Sequence, residues 1–185
     1  MKPAHLKKSV CEQKGFTLIE LLVVIAIISV LATLLLLQLG VARAKARDVK
    51  RIADINQVRS SMELYFDDNS SYPGTAAPST APNMSFLKPR YLVSIPHDPL
   101  VSGCTDIYDG ADANGLNCYG YAWDPTANPL KFQVWAELET NNLALNGDTD
   151  IDSTTWSGAG VRGDEDTDCT DDTPVDCVYD VGVKQ

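Results

Sequence analysis

From Phe16 to Leu37 the sequence holds a single charge, Glu20, in a run whose other polar members are Thr17, Ser29 and Thr33. Wound as a helix, the run is long enough to span a hydrocarbon core of about 30 Å. A carboxylate near one end of such a span is costly unless a partner neutralises it, so Glu20 is read as a functional residue. The rest of the fold has to be built around this helix.

The chain has 185 residues and a formal charge of -10. Once a leader and a span are set aside, the remainder suffices for one small globular domain. The charge is unevenly distributed: Lys2, Lys7, Lys8 and Lys14 precede Phe16 against Glu12 alone, whereas from Asp98 onward eighteen acids face Lys131, Arg162 and Lys184. An acidic distal half argues against direct nucleic-acid binding, which needs clustered cations. It suits a solvated exterior or a cation site.

Residues 1–15 are polar and lysine-rich, with no apolar periodicity, and read as a targeting leader. A secretory signal cut at Ala42-Arg43-Ala44 or Ala44-Lys45-Ala46 is the competing reading, although its apolar centre would be shorter than this one. The stretch Gly15-Phe16-Thr17-Leu18-Ile19-Glu20, behind that leader and ahead of the apolar run, resembles the cleavage and methylation motif of type IV pilins and type II secretion pseudopilins. The resemblance implies cleavage between Gly15 and Phe16 by a membrane prepilin peptidase, then N-methylation of Phe16. Cleavage creates an α-amino group on Phe16, which is largely protonated at neutral pH if its pKa stays near about 8. That cation is a partner for Glu20 of a neighbouring subunit, and a pair that forms in one register selects axial position during assembly. The alternative for Glu20 is to reach back to the headgroup layer.

Five cysteines are present, and cleavage after Gly15 removes Cys11. The even remainder, Cys104, Cys118, Cys169 and Cys177, fits a domain on the oxidising side of a membrane. Three connectivities exist, and proximity in sequence favours Cys104 with Cys118 and Cys169 with Cys177.

Beyond the span, Ile52, Ile55, Val58, Met62, Tyr65 and Phe66 recur at spacings of three and four, so Val41 to Asp68 is expected as a helix with one core-facing stripe. Gly40 is its one weak point, and Asn69-Ser70-Ser71-Tyr72-Pro73 ends it. A continuous helix from Phe16 to Asp68 would measure roughly 80 Å. The cations Arg43, Lys45, Arg47, Lys50 and Arg51 are expected on a solvated face, at anionic headgroups, or against a neighbour's acidic surface. Gly74 to Asn83 reads as a loop. Strands are expected at Tyr119–Trp123, at Leu130–Glu139 and at Val178–Val183, the second with one buried and one wet face. The fold class is therefore α+β, a long N-terminal helix packed on a small antiparallel sheet.

The family resembles this arrangement, with a helix half projecting and half packed. Asp68-Asn69-Ser70-Ser71-Tyr72-Pro73 and Ile95-Pro96-His97-Asp98-Pro99 also look like matching segments of major pseudopilins. Two departures stand out: many relatives carry glycine where this chain has Ser29, and proline where it has Leu37.

No nucleophile elbow or phosphate loop is present, and neither His5 nor His97 has a metal-spaced neighbour, so no enzyme is expected and no cofactor is required. Asn146 to Asp152 places carboxylates at Asp148, Asp150 and Asp152, a spacing that can bring hard oxygens to one Ca²⁺. Ser153 stands where a complete loop has glycine and Ala159 where it has an acid, so a solvated acidic loop is the other reading. Major pseudopilins bind calcium in a distal loop, which the resemblance extends to this chain as an expectation. Asp164 to Asp172 is denser still in charge.

The expected organisation is a leader at 1–15, a transmembrane and filament-core helix at 16–39, its amphipathic half at 40–72, and a pilin-like globular domain at 73–185. The expected function is a structural subunit of a type IV pilus-like filament. Its partners would be like subunits, prepilin peptidase, a lipid membrane, and an assembly platform driven by a separate ATPase. It would be a single-pass inner-membrane protein before assembly, with the globular domain outside the cytoplasm, and a cell-surface or periplasmic filament afterwards. The alternatives are a type II secretion pseudopilin acting in protein export and a monomeric, membrane-anchored acidic binding module.

Overall fold

The computed structural model describes residues 15–74, 83–109, 118–125, 127–159 and 177–184. One helix, α1 (Leu18–Asn69), is followed by β1 (Gly120–Asp124), β2 (Lys131–Glu137), β3 (Ser157–Gly158) and β4 (Val178–Val183), with 3₁₀ turns at Met84–Leu87 and Leu143–Gly147. The α+β expectation is met. The loop expected over Gly74 to Asn83 lies largely outside the described residues.

The chain divides into two compact units, 1–41 and 42–185. In the first, α1 is apolar on all sides, and among the described residues none of its most apolar stretch is buried. Such a surface requires lipid or other apolar helices around it. Its two central polar side chains are satisfied on their own helix: the Ser29 hydroxyl donates to the Ile25 carbonyl at 2.7 Å and Thr33 to Val30 at 2.8 Å.

The second unit is organised by the stripe expected from spacing. Ile55, Val58 and Met62 are fully buried, and Ile52, Tyr65 and Phe66 pack partly buried against them. α1 ends at Asn69, where Ser70 takes φ 56° and its N–H reaches the Phe66 carbonyl at 2.7 Å. Tyr72 then folds back, its ring 4.6 Å from that of Phe66 and 4.5 Å from that of Phe132.

The sheet is antiparallel throughout, in the order β3-β1-β2-β4. Trp123 pairs with Phe132 and Val134 with Val181, so one face presents Tyr121, Trp123, Phe132, Val134, Ala136, Tyr179 and Val181 to the core. The strands expected at Tyr119–Trp123, Leu130–Glu139 and Val178–Val183 are all present, with small shifts at their ends.

The expectation of a wet face on β2 is corrected. Gln133 is fully buried and Trp135 is 5% exposed, because residues 148–159 cover that side. Gln133 Nε2 donates to the Ile151 carbonyl at 2.8 Å and to Asp180 at 3.0 Å, Ser153 donates to Gln133 Oε1, and Trp135 Nε1 donates to the Ala159 carbonyl at 2.8 Å. The polar residues of the pattern face a buried polar layer instead of water.

Candidate functional site

At the start of α1, Thr17 and Glu20 form a reciprocal cap. Thr17 N–H and Oγ1–H both donate to Glu20 Oε2, at 2.8 and 2.7 Å, while Glu20 N–H donates to Thr17 Oγ1 at 3.3 Å. This is the capping box that Thr-x-x-Glu specifies, and it supplies the carboxylate with two donors from its own helix end. Sequence reasoning missed Thr17, although the spacing of the two residues is itself the signal. Phe16 is 83% exposed, and around Gly15 there is open space, with nothing within 4 Å of where a side chain would begin. Gly15, Phe16 and Glu20 thus lie together on one accessible segment.

A second constellation gathers charges from three distant stretches. Arg51, 3% exposed, donates from Nε and Nη2 to the two oxygens of Asp98, at 2.5 and 3.2 Å, and from Nη1 to Asp48 at 2.8 Å and Glu139 at 2.6 Å. Arg47 forms a second fork on Glu139. Asp48 also accepts from the N–H groups of Glu139 and Thr140 and from the Thr140 hydroxyl, and Asp98 accepts from Leu100 and Val101. Burial opposes the charge on Arg51, but its bonds to Asp98 and Glu139 outweigh that and hold its pKa above the ordinary value. The bond from Arg47 leads the causes that hold the Glu139 carboxyl below the usual range. Two of the five cations expected on a solvated or headgroup-facing surface are therefore spent internally.

The acidic loop differs from its expected ligand set. Asp148 and Asp150 stand with Asp180, one oxygen from each lying within 4.8 Å of the others. Asp152 turns to its own loop and accepts from the N–H and hydroxyl of Thr154. Asp180 arrives from β4, a strand far along the chain, which spacing within the loop could not reveal. Its carboxylate accepts from the N–H groups of Asp150 and Ile151, both at 3.1 Å. Burial is the main cause that pushes its pKa up to about 6. Lys184 closes the loop from outside, donating to the Thr149 carbonyl at 2.8 Å.

Cys104 and Cys118 form a disulfide across 14 residues. Cys177 is buried and disulfide-bonded, whereas Cys169 lies outside the described residues, as does Asp164 to Asp172.

Residues 12–36 match the family model described as the prokaryotic N-terminal methylation motif. The chain is 36% identical over 96 residues to the type II secretion system core protein G of Dickeya chrysanthemi, covering 47% of this chain and 63% of that one. Against the core protein G of Klebsiella pneumoniae the identity is 35% over 96 residues, covering 47% and 69%. The type IV wide pilus major component PilA4 of Thermus thermophilus is 48% identical over 64 residues, covering 35% and 49%. No solved structure matches the chain.

Proposed function

This chain belongs to the type IV pilin-like family, and from that premise we propose that it is a non-enzymatic structural subunit, processed after Gly15 and polymerised through α1 into a pilus-like filament. One observation carries the reading: the first part of α1, apolar on every side and with no buried residue in its most apolar stretch among the described residues, opens on Phe16 and a single carboxylate. Lipid covers such a helix before assembly, and the helices of like subunits cover it afterwards. In the filament, Glu20 exchanges its hydrogen bonds from Thr17 for the Phe16 ammonium of a neighbour. Prepilin peptidase and a platform driven by a separate ATPase supply the processing and the energy. The subunit waits as a single-pass inner-membrane protein with its distal unit outside the cytoplasm.

A second reading, a type II secretion pseudopilin acting in protein export, is favoured by the two longer matches described above, both to core protein G. The shorter and more identical match to a pilus component favours the pilus.

The donors at Asp148, Asp150 and Asp180 are hard oxygens, the type Ca²⁺ takes. We propose these three as its ligands, with Asp152 outside the set. A bound Ca²⁺ would offset the mutual repulsion of the three carboxylates and fix residues 148–151 against β4.

Mass spectrometry of the mature N-terminus tests the main proposal. A chain beginning at N-methylated Phe16 is the expected result; an intact leader, or a start near Lys45, overturns it.

A further inference from the structure

From residue 42 onward, Ile55, Val58 and Met62 define the buried side of α1. On the opposite side, Lys45, Val49, Ala53, Ser60, Glu63 and Asp67 follow helical spacing and are all exposed. Lys45 stands at one end of this stripe and Glu63 and Asp67 at the other; the exposed Arg59, which borders the stripe between them, pairs with Glu63 on its own helix. Val49 is 62% exposed, and the Ser60 hydroxyl is turned onto the Asn56 carbonyl of its own helix at 3.0 Å. The middle of the stripe is consequently small and neutral. Glu63 lies 3.5 Å from Arg59, while Lys45 and Asp67 make no ion pair among the described residues. Leu64, 56% exposed, flanks the acidic end.

We infer that the two ends of this stripe are complementary docking surfaces for a second copy of the chain, laid parallel and shifted along the helix so that Lys45 of one copy meets Asp67, with Glu63 beside it, of the next. At 1.5 Å per residue the ends are roughly 27–33 Å apart, which sets the shift. The occupant is another copy because a phosphate-rich surface would meet Glu63 and Asp67 with like charge. A surface carrying both signs in the same order satisfies both ends, and this stripe is such a surface when displaced against itself. An unshifted antiparallel pair would also match the charges, but copies anchored in one membrane through α1 point the same way. A shifted parallel contact uses two different patches, so it does not close, and it repeats as an open helical array. The inference rests on the filament reading and adds to it a contact distinct from that of Phe16 with Glu20.

Cysteine cross-linking in the full chain, expressed in cells that assemble it, provides the test. Lys45→Cys combined with Asp67→Cys yields under mild oxidation a ladder of dimers, trimers and longer species, and neither variant alone does so. Filaments without cross-links, or cross-links that stop at the dimer, overturn the inference. Charge exchange is an independent arm: Lys45→Glu lowers filament yield about tenfold, and adding Asp67→Lys restores most of it. An undiminished yield from Lys45→Glu also overturns the contact. A wild-type chain that is processed to Phe16 yet forms no filament removes the underlying reading instead.

Discussion

Glu20 and Arg51 present the same physical problem in two solvents, a charge that must be taken out of water. Glu20 is met by Thr17 and, in the proposed filament, would be met by a neighbour's amine. Glu20→Ala is therefore expected to leave membrane insertion unchanged while filament yield, measured in the sheared fraction, falls about tenfold or more. Normal yield would contradict the pairing. Arg51 is met by Asp48, Asp98 and Glu139 at once. Arg51→Leu strands the buried carboxylates of Asp48 and Asp98, so it should cost about 3–5 kcal/mol in denaturant unfolding. A loss below about 1 kcal/mol would show that water reaches the cluster. Glu20 was legible because a lone acid in an apolar run stands out against every neighbour. The role of Arg51 was not, since one cation among five in a short stretch carries no mark of being buried, and two of its partners lie 47 and 88 residues away.

At the scale of elements, periodicity decided most of what sequence could decide. The α1 stripe and the core face of β2 follow from spacings of three, four and two, because each of these elements turns one side to the core. The period-two pattern of β2 misled for the second face, where Gln133 and Asp180 form a polar layer under residues 148–159. Polar character in a strand distinguishes water from a satisfied hydrogen bond only when the covering segment is known. Gly182 belongs to this layer in a stricter sense: on β4, opposite Gln133, a Cβ there would lie 2.0 Å from the Phe132 carbonyl oxygen and 2.9 Å from Ile151. Gly182→Ala must push β4 away from β2, and it should lower the melting temperature by more than Ala122→Gly, which opens a void without forcing strands apart. Equal losses would mean that the strand pair yields easily.

For the whole molecule, acids dominate the sequence but act in opposite directions with pH. Glu139 has a lowered pKa, so its contribution is present above the ordinary value of 4.5 and is lost as pH falls through the lowered one. Asp180 is the reverse. Its pKa is raised from 3.8 to about 6, so its contribution is complete below 3.8 and disappears as pH rises through about 6, a change of at most about 3 kcal/mol. In chelator, melting curves of the wild type and Asp180→Asn should converge or cross between pH 4 and 7, and parallel curves would exclude this role for Asp180. Adding Ca²⁺ at pH 7 should raise the wild-type melting temperature and leave Asp180→Asn nearly unmoved; equal shifts would exclude the proposed ligand set. The Arg51 cluster has a mechanical consequence as well. Oily surfaces resist being pulled apart but slide past one another at little cost, whereas a fork of charges tolerates almost no sliding. If such a filament is stretched along its axis, the tension that passes from helix to sheet meets shear resistance at Arg51, Asp98 and Glu139. Because these groups are largely shielded from solvent, salt should weaken that resistance little.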